Sequence, residues 1–178
     1  MASGSAFFQA KKDTKMSKEL IQQVTAPNGS VFTGSGTNSY LIGREDITLV
    51  DPGPKIDEHI EKLIKLGEGK IKRILVTHTH RDHSPAAKVI GEILNVPLMG
   101  RLVEKDDTLQ DKTFKPERFL GHGDLIETAE YTIESIHTPG HASNHLCFLI
   151  REEKAMLTGD HIMNLSLIHI SEPTRHTR

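Results

Sequence analysis

The chain has 178 residues, which is enough for one domain with a sizeable core and short for two. Its net charge of −2 and its lack of a long basic run argue against a polyanion-binding protein. The single cysteine, Cys147, excludes an intramolecular disulfide and fits a reducing compartment. The sequence shows neither an apolar stretch of the roughly 20 residues that cross a bilayer nor a signal-peptide pattern, so we predict a cytoplasmic protein.

Apolar spacing and turn residues predict strands and helices that alternate along most of the chain. In chain order the predicted elements are a hairpin in residues 29–43, a strand ending at Asp51, a helix over 56–67, a strand from 71 into the histidines at 78, a helix over 84–94, a strand in 96–100, two strands in 125–141 and a hairpin in 145–160. Gly67 is the expected C-cap of the first helix, and Ser84 is the expected N-cap of the second. This alternation is typical of a layered α/β domain.

The two ends of the chain differ in character from its middle. Residues 1–15 are small, polar and lysine-bearing, and we predict a disordered leader there. Residues 165–178 continue neither the apolar period nor the turn chemistry, and we predict a non-native tail. The predicted domain is therefore 16–164, and its C-terminal part is expected to be missing.

Residues 77–84 read THTHRDHS and gather metal-binding side chains at the end of a predicted strand. Residues two apart on an extended segment share a face, so His78 and His80 can converge on one ion. Asp82 and His83 lie beyond the bend and can face a second position. Imidazole together with carboxylate suits zinc, and also iron or manganese.

Two further candidate ligands come from later in the chain. His141, in the TPGH turn, and Asp160, in the TGD turn, follow predicted strands and would complete a site for two ions. The carboxyl ends of strands are where layered α/β proteins tend to build ligand sites. Solvated loop histidines are the alternative interpretation, and the strand and helix that flank the cluster disfavour it.

Four motifs in this order resemble the metallo-β-lactamase superfamily of hydrolases. THTHRDH is preceded by LVDPG and followed by TPGH and TGD, and the resemblance covers residues 20–163. It implies an α/β fold, a four-layer αββα sandwich, around a dinuclear zinc site. The ligands that the resemblance implies are His78, His80 and His141 for the first ion, Asp82 and His83 for the second, and Asp160 as a bridge between them.

The resemblance also implies roles for two aspartates. Asp82 is the implied catalytic residue, because it would orient the attacking hydroxide. Asp51 would support the site by fixing a histidine. The family's last ligand is a histidine on a C-terminal strand, and only His169 and His176, within the predicted tail, follow in this chain. The second metal site is therefore expected to be incomplete.

The ligand types narrow the predicted chemistry. Asp160 stands where the main zinc class of β-lactamases has a cysteine, and His80 where a diiron branch has glutamate, so antibiotic hydrolysis and redox chemistry are not expected. THTHRDHS and GTNSYLIG look most like the β-lactamase-like protein 2 group, which is associated with endoribonuclease activity. The leading hypothesis is a zinc-dependent hydrolase of phosphodiester, RNA-type substrates.

Two alternatives remain open from the sequence. One is a glyoxalase II-like hydrolase of small-molecule thioesters or esters, and the other is a binding module that lacks a working site. No membrane association and no protein partner are predicted.

The other conspicuous residues receive structural interpretations. His59, His122 and His137 are expected at the surface, and His145 is placed there in preference to a position behind the ligands. Cys147, inside an apolar strand, is expected in the core.

Overall fold

The computed structural model describes residues 20–103 and 109–162, so the predicted leader and tail lie outside the described residues. The elements are β1 (Ile21–Thr25), β2 (Asn38–Ile42), β3 (Ile47–Val50), α1 (Asp57–Gly67), β4 (Ile71–Leu75), α2 (Pro85–Leu94), β5 (Leu98–Gly100), β6 (Arg118–Phe119), β7 (Leu125–Glu127), β8 (Thr132–His137), β9 (Leu146–Ile150) and β10 (Ala155–Leu157), followed by a 3₁₀ turn (Gly159–His161). None of the helices in these two ranges is long and apolar enough to span a membrane.

The strands form two sheets. The first has the order β1-β2-β3-β4-β5-β6, antiparallel as far as β3 and parallel from β3 to β6. The second has the order β10-β9-β8-β7 and is antiparallel throughout. Because β3 and β4 are parallel neighbours, the residues that follow them emerge at the same edge of the sheet.

Two apolar layers hold the sandwich together. Along β3, Leu49 faces the helices and Val50 faces the second sheet, as the alternation of a strand requires. Ile60, Leu63 and Ile90 of the helices close the first layer. The side chains that close the second layer come mainly from β7 to β10 and are Ile126, Ile133, Leu146, Phe148, Ile150 and Leu157. This is the predicted α/β sandwich, and three of its four layers lie within the described residues.

Helix α1 buries the apolar face that its spacing predicts, and a histidine beside that face is buried as well. His59 is 1% exposed and its Nε2 lies 3.0 Å from Ser39 Oγ, so the prediction of a solvated His59 is wrong. The helix passes beside the turn at Gly53, and an imidazole fits this gap because a serine supplies a polar partner. Burial, with a smaller contribution from Lys62, lowers the pKa of His59.

The ends of the two helices also depart from the sequence prediction. Glu68, at φ 48°, is the left-handed C-cap of α1, whereas Gly67 is its last helical residue. A Cβ on Gly67 would lie 2.5 Å from Ile71, so packing accounts for that glycine. Pro85 opens α2 as expected, but Ser84 makes no capping bond, and its hydroxyl donates to Asp111 at 2.8 Å.

Candidate metal centre

The predicted ligands meet at one edge of the sandwich. Asp51 follows β3, the HTHRDH segment follows β4, His141 lies between β8 and β9, and Asp160 follows β10. A backbone bond of 2.8 Å from Leu146 N to Thr77 O joins the two sheets at this edge. Both sheets therefore contribute side chains to the same small volume.

Three imidazoles form the first cluster of candidate ligand atoms. His80 Nδ1 lies 3.0 Å from His78 Nε2 and 2.9 Å from His141 Nε2. All three nitrogens lie within 4.8 Å of one another, a spacing that suits ligands of one ion.

The second cluster contains His78, His83 and Asp160. Asp160 Oδ1 lies 3.2 Å from His83 Nε2, and Asp160 Oδ2 lies 3.4 Å from His141 Nε2, so this carboxylate stands between the two clusters. Asp82 lies at the margin of the second cluster, with its Oδ2 3.4 Å from His83 Nε2. The structure thus brings the six predicted ligands together.

Asp51 holds the histidine segment from behind. Its Oδ1 accepts the N–H of Thr77 at 2.7 Å, and its Oδ2 accepts the Thr77 hydroxyl at 2.6 Å and faces His83 Nδ1 at 3.0 Å. Asp51 is 2% exposed and has φ 48°, an uncommon left-handed conformation for a residue other than glycine. The three contacts hold this carboxylate against the histidine segment and keep the backbone of Asp51 in that conformation.

The contacts among Asp51, Thr77 and His78 determine which nitrogen of the His78 imidazole has the free lone pair. Because the Thr77 hydroxyl donates to Asp51, it can only accept from His78 Nδ1, at 3.1 Å. The proton of His78 is therefore on Nδ1, and its Nε2 lone pair faces His80. A cation bound at this position would accept that lone pair in place of a proton.

The pKa values of three candidate ligands are shifted, two of them downward and one upward. Burial, and then the neighbouring histidines, lower the pKa of His78, and the same causes lower that of His80. Burial alone would lower the pKa of His83, but the carboxylates of Asp51 and Asp160 outweigh it and raise that pKa well above its ordinary value. A proton on His83 thus occupies a position that a metal ion can take over.

His145 lies behind the ligands and is not a surface residue, so that prediction is wrong. Its side chain is fully buried, its ring centroid is 5.0 Å from that of His78, and its Nδ1 is 3.0 Å from Thr138 Oγ1. Burial lowers its pKa to about 4. A Cβ on Gly159 would lie 2.8 Å from His145 Nε2, so His145 requires a glycine next to Asp160.

A second buried group of polar side chains ties the surrounding loops to the histidine strand. Thr79 donates to Gln110 and accepts from Asn144 Nδ2 at 2.8 Å, and the same amide donates to the carbonyl of Arg101 at 2.8 Å. Thr79 points away from the ion cluster because it alternates with His78 and His80. None of these residues was predicted from the sequence. Only the position of Thr79 between two predicted ligands could have indicated its role.

Of the remaining residues, the interpretations of His122 and Cys147 are confirmed. His122 is exposed, and His137 is half-buried, with its Nε2 3.0 Å from the carbonyl of Ser143. Cys147 is buried in the core, where burial raises the pKa of its thiol.

Comparison with known proteins agrees with the geometry. The profile of the Metallo-beta-lactamase superfamily matches residues 32–178. The chain belongs to the metallo-β-lactamase superfamily. The candidate ligands, from His78 to Asp160, all lie within the matched residues.

Curated relatives of this superfamily member include fungal enzymes. The chain is similar to "Atrochrysone carboxyl ACP thioesterase" of Aspergillus chevalieri, at 32% identity over 80% of the chain and 46% of the relative. It is also similar to "Lactamase-like protein ptaB" of Pestalotiopsis fici, at 30% identity over 85% of the chain and 47% of the relative. The chain spans about half the length of the curated relatives it matches.

Solved structures of the superfamily share the fold. A metallo-β-lactamase from Staphylococcus aureus subsp. aureus COL gives a TM-score of 0.59 at 25% identity, covering 80% of this chain and 43% of that one. The subclass B3 enzyme BJP-1 of Bradyrhizobium japonicum gives a TM-score of 0.57 at 23% identity, covering 66% of this chain and 51% of that one. The second likeness bears on the fold alone.

Proposed function

We propose that this chain carries the metal centre of a thioester hydrolase and that zinc is the ion it holds. The observation that carries the proposal is the convergence of His78, His80 and His141 on one position and of His83 and Asp160 on a neighbouring one. Sites that combine imidazole with carboxylate, without cysteine, suit zinc in hydrolytic enzymes.

Each candidate ligand has a proposed place. His78, His80 and His141 would hold the first ion, Asp82 and His83 the second, and Asp160 both. The lone pair of His78 Nε2 and the closeness of the three imidazole nitrogens support the first set, and the position of Asp160 between the clusters supports its shared role. When bound, such ions supply Lewis acidity and make water a nucleophile at neutral pH.

The chain's own residues would then orient the reactants. Asp51 and Thr77 keep the rings of His78 and His83 in place through their Nδ1 atoms. The carboxylate of Asp82, 33% exposed, lies at the open side of the second cluster and can accept a proton from an attacking water. His141, 30% exposed, forms the other open side, so a substrate carbonyl can approach between them.

Thioesters are favoured over the phosphodiesters that the sequence analysis placed first. The relative from Aspergillus chevalieri is named as a thioesterase, and this name favours the thioester alternative. The loop between β1 and β2, which contacts Asp82, presents Val31 and Phe32 to solvent at 86% and 91% exposure. Exposed apolar side chains on a loop that reaches the site suit an acyl group better than a polyanion.

The test is an assay of the zinc-loaded chain on an acyl-coenzyme A thioester, by release of free thiol, beside bis(p-nitrophenyl) phosphate. We expect thiol release that Asp82→Asn lowers and that a chelator abolishes. Cleavage of the phosphodiester alone would overturn the thioester proposal in favour of a nuclease. Zinc binding without turnover of either substrate would favour a non-catalytic binding module.

A further inference from the structure

One hydroxyl outside the ligand set contacts the metal centre. Thr37, the last residue of the loop before β2, donates from Oγ1 to Asp82 Oδ2 at 3.2 Å. The same carboxylate oxygen lies 3.4 Å from His83 Nε2, and Thr37 is only 6% exposed. A buried hydroxyl therefore contacts the carboxylate that faces the second cluster.

Asn28 clamps Thr37 at both of its polar groups. Asn28 Oδ1 accepts the N–H of Thr37 at 2.9 Å, and Asn28 Nδ2 donates to Thr37 Oγ1 at 3.0 Å. A reversed amide would point two donors at a backbone N–H, so only this orientation satisfies both bonds. The carbonyl of Thr37 accepts from Ala26 N at 2.8 Å, which fixes the remaining backbone group.

The clamp determines where the hydroxyl proton of Thr37 goes. Because Asn28 Nδ2 is a donor, Oγ1 acts as its acceptor, and the single hydroxyl proton is left for Asp82. A hydrogen bond donated to a carboxylate is stronger than one between neutral groups and holds it in one rotamer. Side chains that bond to metal ligands from behind are the ones that orient them.

The backbone of the loop allows Thr37 little freedom to move away. Gly36, which precedes it, has φ 130°, and a Cβ at that position would lie 2.0 Å from the carbonyl oxygen of Ala26. No residue with a side chain fits there without displacing β1. The path of the chain into Thr37 is thus fixed by the close approach of Gly36 to Ala26.

We infer that Thr37, clamped by Asn28, is a positioning residue that orients Asp82 toward the second ion, an inference that rests on the proposed function in giving Asp82 to that ion. Thr37 touches no substrate in this role and acts through the carboxylate. Loss of the hydroxyl frees the Asp82 side chain to rotate, and the second ion then loses affinity while the first keeps it.

Cobalt(II) titration of the metal-free chain tests the inference, because the visible absorption of each equivalent follows its own ligands. The variants are Thr37→Val, which keeps the shape, Thr37→Ser, which keeps the hydroxyl, and Asp82→Asn alone and combined with Thr37→Val. Thr25→Val is the matched control, because it also loses one bond to an asparagine, Asn38, on the same sheet without touching the site.

We expect Thr37→Val to weaken the second equivalent by roughly 10–100-fold, the usual effect of removing such a partner, with the first equivalent unchanged. Thr37→Ser should restore the affinity, and Thr37→Val should add nothing in the Asp82→Asn background. Wild-type affinity in Thr37→Val would overturn the inference, as would an undiminished loss in the Asp82→Asn background or an equal loss in Thr25→Val.

A wild-type chain that binds one equivalent, with affinity unaffected by Asp82→Asn, would also overturn it, because Asp82 would then hold no ion. Failure of the proposed function shows elsewhere, as absence of thiol release from the zinc-loaded wild-type chain. The two failures are therefore separable.

Discussion

Strands β3 and β4 carry a polar cluster near each end, and the two clusters satisfy their charges differently. Near the amino end, Arg73 contacts both carboxylate oxygens of Asp46, at 2.6 and 3.1 Å, and the Tyr131 hydroxyl donates to the Asp46 carbonyl at 2.6 Å. Thr48 Oγ1 lies 2.8 Å from that hydroxyl. We call Asp46, Thr48, Arg73 and Tyr131 the Arg73 cluster. Donors meet acceptors there, and opposite charges neutralise each other.

The carboxyl end brings like groups together instead. His78 has the rings of His80, His83, His141 and His145 around it, with centroids between 4.3 and 5.1 Å away. Burial and the neighbouring rings disfavour protonation of His78 and His80, as their lowered pKa values indicate. The ion pair of Arg73 and Asp46 needs no further partner. The Nε2 lone pair of His78, in contrast, is free to bind a cation.

Removal of His78 should have the largest effect and should show most clearly that the carboxyl-end cluster, and not the Arg73 cluster, binds zinc. Because His78 belongs to both candidate ion positions, His78→Ala is expected to leave almost no bound zinc and to lower thiol release by more than about a hundredfold, beyond what loss of an outer partner does. Zinc per chain is measured by elemental analysis after dialysis. The control is His122→Ala, an exposed histidine outside the site, and full zinc content in His78→Ala would contradict the assignment.

Asp51→Asn should have the next largest effect. The amide keeps one acceptor oxygen, but its NH₂ group cannot accept the bonds that Asp51 takes from Thr77 and His83. We expect the affinity for zinc to fall by roughly 10–100-fold, measured by competition with a chromophoric chelator. Asp57→Asn, an exposed acid on α1, is the comparison, and equal affinities in the two variants would show that Asp51 does not orient the histidines.

Acid should destabilise the metal-free chain through the carboxyl-end cluster. His145 has its pKa lowered to about 4 by burial, so its contribution to stability is complete above the unfolded pKa of about 6.5 and is lost as the pH falls toward 4. At pH 5 the loss amounts to about 2 kcal/mol. Urea unfolding at pH 7.5 and pH 5 in the presence of chelator measures it.

The variant His145→Gln isolates that contribution from those of the other histidines. Its free energy of unfolding should fall less between the two pH values than that of the wild type. Parallel pH profiles would mean that His145 takes up its proton without cost in the folded chain.

Arg73→Leu should give the smallest effect and the opposite pattern. With its partner Asp46 left 35% exposed to water, loss of the pair is expected to cost about 1–2 kcal/mol of unfolding free energy. Zinc affinity should not change, because the Arg73 cluster lies near the other end of the strands. A fall in zinc affinity would mean that the two ends are coupled through β4.

The sequence predicts most of the order of elements, and the side chains that meet at the edge of the sandwich, because both depend on local signals. Strand ends are marked by residues such as Pro52 and Gly53, and the ligands are chemically distinctive side chains just beyond them. The family resemblance adds the order of the motifs.

Burial of single polar residues was not predictable in this way. His59 and His145 are placed by partners distant in sequence, Ser39 and His78, that no local pattern contains. The clamp on Thr37 depends on an asparagine nine residues away across an irregular loop, where spacing carries no periodic signal. The hypothesis of a phosphodiester substrate is not supported by the relatives for a similar reason. The substrate is selected by loops, and the ligand residues do not indicate it.

The backbone hydrogen bond from Leu146 to Thr77 lies at the junction of the two sheets, whose strands are far apart in the chain. Because the candidate ligands lie on both sides of this junction, an ion held by His80 and His141 would close the loop between these two residues. Cross-linking a loop of this length removes chain entropy worth on the order of 4 kcal/mol from the unfolded state. The single cysteine of this chain cannot form an internal disulfide. Bound zinc would thus also act as the cross-link between the two sheets.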